Sequence, residues 1–144
     1  MTMWQSDRSK TSIFCNQRVK KGTCIIEDDF AGLIDRMDEA DAVVFATPVY
    51  YGDLSESMRA LLDRLRRTGT HEAGKKRIEG TPAVGICVAG GSGGGTGTCV
   101  ASLEEVLERC GFDVVDMVPV RRQNLELKLG ILTVTGRWPI FCSS

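Results

Sequence analysis

Three segments of the chain are mainly apolar and rich in β-branched residues: 42–46, 82–89 and 112–120. Runs of this length, bounded by polar or glycine-containing stretches, are typical of strands that are buried on both faces of a sheet. The pattern therefore predicts three strands in the interior of the fold.

Helical periodicity separates these strands. Apolar residues recur every three or four positions over 29–39 and again after Asp53, where Glu56 three places later indicates a helix start of the capping-box kind. This second helix is predicted to end at Gly69, and residues 70–80 are predicted to form a polar surface loop.

A third helix is predicted from about Thr98, with Gly111 as its stop. The residues from Asn124 onwards fit two patterns. Leucines at 125, 129 and 132 suit a helix, whereas apolar residues at every second position over 125–131 suit a strand. We favour the helix.

Strand and helix thus alternate, which predicts the α/β class: a parallel sheet with right-handed crossovers and helices on both faces. In such sheets ligands bind outside the carboxyl ends of the strands. Two of the predicted strands run into unusual loops at that edge, TPVYYG at 47–52 and GGSGGGTG at 90–97.

Composition narrows the class further. The 144 residues suit one domain, and 42% hydrophobic with 26% charged residues is ordinary for a soluble globular chain. A net charge of −1 indicates neither nucleic acid nor an acidic membrane as a partner. The basic cluster that begins at Arg64 and continues through 66–67 and 75–77 is predicted to be a solvated helix end and loop.

Of the six cysteines, Cys87 lies in an apolar run and Cys110 on an apolar helical stripe, where free cysteine behaves as a small hydrophobe. The amino-terminal residues resemble no signal peptide, and no apolar run approaches the length of a membrane span. We therefore expect a reduced, cytoplasmic protein.

The first loop, 47–52, has two interpretations of equal weight. In one, Pro48 ends the strand, Gly52 supplies an unusual backbone angle, and Tyr50 and Tyr51 pack on the rim of the sheet. In the other, Pro48 fixes the backbone and Gly52 lets a flat heterocycle approach, so that the loop presents amides and aromatic surface to it.

The glycine run does not match a dinucleotide fingerprint, because Thr96 stands where a glycine is needed, and no lysine follows to make a Walker loop. Gly90-x-Ser92-x-Gly94 matches a hydrolase nucleophile elbow, but the only histidine, His71, precedes the serine. Two interpretations remain: exposed amides before a helix that bind polar or anionic atoms, or a glycine loop with no ligand.

Nothing in the sequence indicates a metal site. His71 lies in a polar segment without a second histidine or a cysteine nearby, and Cys15 and Cys24 are nine residues apart, which is not a standard zinc or iron–sulfur spacing.

Taken together, these residues resemble the flavodoxin-like NADPH-dependent FMN reductases, particularly the branch that includes the iron–sulfur flavoproteins. The matching stretches are GTCIIEDDF before the first helix, ADAVVFATPVYYGDLSESMRALLDRL, and TPAVGICVAGGSGGG before the third helix. They fall within residues 22–124, which is most of the chain.

The resemblance implies a flavodoxin-like three-layer α/β/α sheet that binds FMN and takes NAD(P)H as co-substrate. In that family the two loops lie along the flavin ring and contact it mainly through backbone atoms. The positions implied as cofactor-binding are Thr47, Pro48, Val49, Tyr50, Tyr51 and Gly52, together with Gly90, Gly91 and Ser92. No side-chain acid or base is required, because the flavin itself carries the redox chemistry.

The chain departs from the family at its amino end. Family members begin with a strand, a phosphate-binding loop, a helix and a second strand, and only residues 6–12 faintly resemble that loop. The comparison predicts a fold incomplete at the N-terminus, with 1–24 an irregular remnant of a cysteine-rich segment and 25–144 a flavodoxin-like domain. Loss of the phosphate loop is expected to weaken FMN binding and to expose a sheet edge.

The expected function is an FMN-dependent NAD(P)H oxidoreductase of the flavin- or quinone-reductase kind, passing electrons to a small-molecule acceptor. The resemblance also implies a homodimer or homotetramer. The alternative is a truncated, non-catalytic flavodoxin-like module for binding or oligomerisation.

Overall fold

The computed structural model describes Ile26 and residues 28–135. The strands in this part of the chain are β1 (Val43–Tyr50), β2 (Asp53–Leu54), β3 (Pro82–Ala89) and β4 (Asp113–Arg121). The helices are α1 (Phe30–Asp38), α2 (Glu56–Gly69), α3 (Glu72–Lys75), α4 (Thr96–Cys110) and α5 (Leu125–Thr135), with a 3₁₀ turn at Arg122–Asn124.

The described strands form one sheet in the order β2-β1-β3-β4. β1, β3 and β4 are parallel, with Pro48 opposite Val88 and Val88 opposite Val120, so their carboxyl ends reach the same edge. β2 is antiparallel to the end of β1, because the chain turns back immediately after Tyr50. The two loops singled out in the sequence therefore leave neighbouring strands at one edge of the sheet.

Helices cover both faces, as an α/β/α arrangement requires. On one face α1, α2 and α4 bury a large core that includes Phe30, Leu62, Leu103 and, on β1, Phe45. On the other face a smaller cluster joins Val84, Val118 and Val120 to Leu132 of α5. The predicted fold class is confirmed.

Arg64 joins two helices within the fold. It is 8% exposed, its guanidinium donates two hydrogen bonds of 2.8 Å to the carboxylate of Asp28, and its Cζ lies 4.0 Å from the ring centroid of Phe30. The prediction that Arg64 belongs to a solvated basic cluster was wrong. Its aliphatic stem and charge fix the start of α1 against α2.

The helix predictions differ from the structure at two points and agree with it at a third. The N-cap of α2 is Ser55, whose Oγ accepts from the backbone N–H of Met58, whereas Asp53 belongs to β2. The predicted loop 70–80 contains α3, and the segment after Asn124 is the favoured helix, α5.

The strand 42–46 was predicted too short, because β1 continues through Thr-Pro-Val-Tyr. The predicted remnant 1–24, the faint phosphate loop within it, Cys15 and Cys24 all lie outside the described residues, as do residues 136–144 of the predicted flavodoxin-like domain.

Candidate functional site

The first loop is the tight hairpin that joins β1 to β2. Tyr51 and Gly52 are its two central residues, with φ of 52° and 80°. Positive φ at both positions is the geometry of a type I′ turn, which normally takes Asn-Gly. Tyr51 is the only non-glycine residue with positive φ in the described part of the chain, and its side chain is fully exposed.

Thr47 stabilises the hairpin from inside. Its buried hydroxyl lies 3.0 Å from the carbonyl of Pro48 and 3.2 Å from Oγ of Ser55, and it accepts from the backbone N–H of Ser55 at 3.1 Å. These bonds connect the end of β1 to Ser55, the N-cap of α2. The side chain of this predicted site residue is therefore buried and engaged within the hairpin.

The next three positions alternate across the sheet. Val49 packs toward the large core, whereas Pro48 and Tyr50 are exposed on the other face. The structural interpretation of this loop required both tyrosine rings to pack on the rim of the sheet, and they do not. Nothing in the described residues covers the ring of Tyr51.

The second loop begins with a turn in which the N–H of Gly93 donates to the carbonyl of Gly90 at 3.0 Å. Gly90, Gly91 and Ser92 are exposed, and a Cβ added to Gly90 or Gly91 would meet no atom within 4 Å. Thr96, at the start of α4, donates a 2.6 Å hydrogen bond to the carbonyl of Gly93. Hydrogen bonds thus fix the end of the loop next to α4, and its first three residues are exposed to solvent.

The two loops touch each other. A Cβ on Gly95 would overlap with the Cα of Gly52, and a Cβ on Gly52 would lie 3.5 Å from the Cα of Gly95. Both residues also have positive φ, 77° at Gly95 and 80° at Gly52. The approach requires glycine at position 95, and the positive φ favours glycine at both positions, so the two loops are brought together on one surface.

The end of β4 adds two residues that the sequence analysis missed. The side chain of Arg121 lies against Gly93, where an added Cβ would come within 2.6 Å of its Cδ. Nε2 of Gln123 donates a 3.1 Å hydrogen bond to the carbonyl of Gly91. The rule that ligands bind beyond the strand ends could have identified them, because β4 is the third strand to end at this edge.

Two thiols lie beneath the loops. Sγ of Cys87, near the end of β3, is 3.5 Å from Sγ of Cys99 on α4, and both residues are fully buried. Burial, and then the contact with Cys99, raise the pKa of Cys87 to about 12; burial also raises the pKa of Cys99. Both groups are neutral thiols at physiological pH, unsuited to nucleophilic attack.

The structure separates Ser92 from the only histidine. α2 starts beside the two loops and runs back along the sheet, so His71, which follows its end, lies near the start of β3. There its Nδ1 accepts from the backbone N–H of Ala73 at 3.3 Å and caps α3. This arrangement rules out a pairing of Ser92 with His71 as in a serine hydrolase.

The described residues contain no group of three or more His, Cys, Asp or Glu side chains placed to hold a metal ion. None of their helices combines the length and apolar character needed to cross a membrane.

Solved structures share this fold. The Trp repressor binding protein from Bacillus subtilis superposes with a TM-score of 0.60 at 20% identity, covering 78% of this chain and 71% of the other. General stress protein 14 from Treponema denticola, solved in complex with FMN, has a TM-score of 0.60 at 17% identity, covering 80% and 73%. Both comparisons establish the flavodoxin-like fold.

The chain is similar in sequence to several iron–sulfur flavoproteins. One from Methanocaldococcus jannaschii is 28% identical over 111 residues, 77% of this chain and 52% of that protein. One from Methanosarcina thermophila is 32% identical over 95 residues, 64% and 47% respectively. The chain thus spans about half the length of these relatives. Residues 6–126 match the family model of the NADPH-dependent FMN reductases, and the chain belongs to that family.

Proposed function

We propose that the hairpin 47–52 and the glycine loop from Gly90 bind FMN, and that the protein is a flavin-dependent NAD(P)H oxidoreductase. The observation that carries this proposal is the contact between Gly52 and Gly95, which joins the two loops into one surface at the carboxyl edge of the sheet. This is the edge at which α/β sheets bind their ligands.

The residues present suit a flavin. A flat ring system needs an aromatic surface and a stretch of backbone that no side chain covers. Tyr50 and Tyr51 supply exposed rings, and Gly90 and Gly91 supply open backbone beside them. The type I′ turn holds Tyr51 outward at a conformational cost of about 1–3 kcal/mol, and strained residues of this kind cluster at ligand sites.

The chain's contribution to the reaction is positioning. When bound, FMN supplies the hydride and electron chemistry. Thr47 keeps the hairpin rigid through its three hydrogen-bond contacts, and Gln123 fixes the carbonyl of Gly91. The buried thiols of Cys87 and Cys99 stay protonated below the site. Among the described site residues we assign none as a general acid or base.

The family name supports a nicotinamide as the electron donor. An NADPH-dependent reductase passes electrons from a nicotinamide to a small molecule, and we propose NAD(P)H as donor with a quinone or free flavin as acceptor. The open surface above Gly90 and Gly91 leaves room for such planar molecules to stack on a bound flavin.

The binding surface can be tested with two matched substitutions, Gly90→Ala and Gly97→Ala. A Cβ meets no protein atom at either position, and neither residue has positive φ, so neither change should unfold the protein. We expect Gly90→Ala to weaken FMN binding about tenfold, because the methyl group projects where the ring would lie. Gly97→Ala, in the first turn of α4, should leave it unchanged.

FMN affinity is measured by quenching of flavin fluorescence, and NADPH oxidation is followed in the same samples with a quinone as acceptor. Equal affinity in the two variants would contradict the placement of the flavin. No flavin binding by the unsubstituted protein would contradict the proposed function itself.

The second candidate is the non-catalytic module. The observation that favours it is a large apolar surface on α5 and on β1, remote from the core. This candidate predicts an assembly that is indifferent to FMN and a protein that does not oxidise NADPH.

A further inference from the structure

Arg121, the last residue of β4, carries a charge that the described part of the fold does not neutralise. The residue is exposed, and no carboxylate among the described residues lies within ion-pair distance of its guanidinium. Arginines elsewhere in the described residues do form such pairs, among them Arg59, Arg64 and Arg77. An arginine without a counter-ion beside a ligand surface is a candidate group for binding an anion.

The stem of Arg121 lies across the glycine loop. A Cβ built on Gly93 would come within 3.2 Å of its Cβ, 2.8 Å of its Cγ and 2.6 Å of its Cδ. Its backbone N–H donates a 2.7 Å hydrogen bond to Oδ1 of Asn124, and the neighbouring Gln123 donates to the carbonyl of Gly91. The backbone under the stem is thus fixed, and the side chain borders the candidate flavin site.

The two segments that form this side of the site have a positive charge. Residues 88–98, which include the glycine loop, contain no ionisable side chain. Residues 119–124, at the end of β4, contain Arg121 and the exposed Arg122 and no acidic residue. A ligand that approaches the glycine loop from this side therefore meets two guanidinium groups, which favours an anionic group on the ligand.

We propose that Arg121 binds the 2′-phosphate of NADPH and thereby makes the protein prefer NADPH to NADH. This inference rests on the proposed function, because it concerns the electron donor of that reaction. NADPH differs from NADH only in this phosphate monoester, a group of about −1.5 to −2 charge with three acceptor oxygens. The planar guanidinium matches such a group with two parallel hydrogen bonds.

The exposure of Arg121 favours the 2′-phosphate over the pyrophosphate of the same nucleotide. In the proposed reaction the nicotinamide stacks on the flavin above the open backbone of Gly90 and Gly91, so the adenosine half of the molecule extends outward. A solvent-exposed side chain at the rim is placed for that outer half. The pyrophosphate is common to NADH and NADPH, so a contact with it would give no preference between them.

Arg121→Gln tests this contact. Glutamine keeps the three stem carbons that lie against Gly93 and removes only the charged end, so the loop should retain its structure. We expect the ratio of the KM for NADH to the KM for NADPH to fall about tenfold, because a charge-assisted contact that only NADPH makes is lost.

Arg109→Gln is the matched control. It removes the same charge at the other end of α4, where Arg109 is exposed and pairs only with the exposed Glu105 one helical turn away. Surface pairs of this kind contribute little to stability. The ratio of the two KM values should therefore stay as it is in the unsubstituted protein.

Binding is measured independently of turnover. NADP⁺ and NAD⁺, which carry no hydride to donate, are titrated into the FMN-loaded protein by calorimetry, and FMN is titrated into the flavin-free protein. We expect the unsubstituted protein and Arg109→Gln to bind NADP⁺ about tenfold more tightly than NAD⁺. Arg121→Gln should bind the two nucleotides with equal affinity.

Equal affinity of the unsubstituted protein for NADP⁺ and NAD⁺ would overturn the proposal, as would a preference that Arg121→Gln leaves unchanged. An equal loss of affinity for both nucleotides would assign Arg121 to their pyrophosphate instead. A loss of FMN affinity greater than the loss of NADP⁺ affinity would assign it to the phosphate of FMN. Each of these results leaves the proposed function standing, which fails separately if the unsubstituted protein neither binds FMN nor oxidises either nucleotide.

Discussion

Tyr51 shows how a single residue can be held against its own preference. Position 51 requires a positive φ, which asparagine tolerates and tyrosine adopts only at a cost. The structure offers its ring no contact that would offset this cost, because the side chain points fully into solvent. A conformational penalty without a compensating internal contact is consistent with a ligand that stacks on the ring.

Replacing Tyr51 with asparagine should therefore change stability and FMN binding in opposite directions. We expect Tyr51→Asn to raise the free energy of unfolding by about 1 kcal/mol, because Asn-Gly is the preferred pair for a type I′ turn. The same change should weaken FMN binding, since the aromatic surface is lost. Chemical denaturation and flavin titration check the two effects, and Tyr51→Phe, which keeps the ring, should match the unsubstituted protein in both. A gain in affinity for Tyr51→Asn would contradict a stacking role.

At the scale of elements, the site is created by the approach of a hairpin to the loop before α4. The contact between Gly52 and Gly95 involves backbone atoms alone. It is close because neither residue has a side chain. Thr47 and Ser55 brace the hairpin from below, while Thr96 and Gln123 brace the glycine loop. Each loop is thus anchored separately, and the glycine pair joins them.

Gly95→Ala should break this junction. The added methyl group would overlap with the Cα of Gly52 at a position where φ is also positive, and we expect a loss of about 2–4 kcal/mol of stability. Thermal unfolding measures the loss. Gly97→Ala, two residues further along in α4, is the control and should be neutral or slightly stabilising, since alanine favours helix. Equal stability of the two variants would contradict the close contact.

At the scale of the whole molecule, the described cysteines are part of the core. Cys87, Cys99 and Cys110 are fully buried, and burial raises the pKa of Cys110 to about 11 and that of Cys87 to about 12. They act as small hydrophobes between the sheet and its helices. Their chemistry is suppressed by the same packing that stabilises the fold.

This burial predicts how stability depends on pH. The folded protein keeps these thiols protonated above their ordinary pKa of 9.0, whereas the unfolded chain loses the protons there. Stability is therefore complete below about pH 9 and falls as pH rises toward 11 and 12, by up to roughly 1.4 kcal/mol per pH unit for each thiol. Denaturant titrations at several pH values measure this slope.

Alkylation provides an independent measurement of the same burial. At pH 8 the peptides that contain Cys87, Cys99 and Cys110 should remain unlabelled in the native protein and become labelled in denaturant, as read by mass spectrometry. Rapid native labelling of Cys87 would contradict a buried, neutral thiol.

The sequence by itself determined the alternation of strands and helices, the α/β class and the two loops of interest, because apolar periodicity and glycine positions are local signals. β3 and the stop of α4 at Gly111 were predicted at the correct residues for this reason.

Tertiary structure alone decided what depends on distant residues. Arg64 is buried because Asp28 and Phe30, at the start of α1, contact its guanidinium. Asp53 lies in β2 and pairs with Arg59 of α2, whereas Ser55 caps that helix. The meeting of Gly52 with Gly95, and of Arg121 with Gly93, follows from strand order and register, which no local pattern encodes.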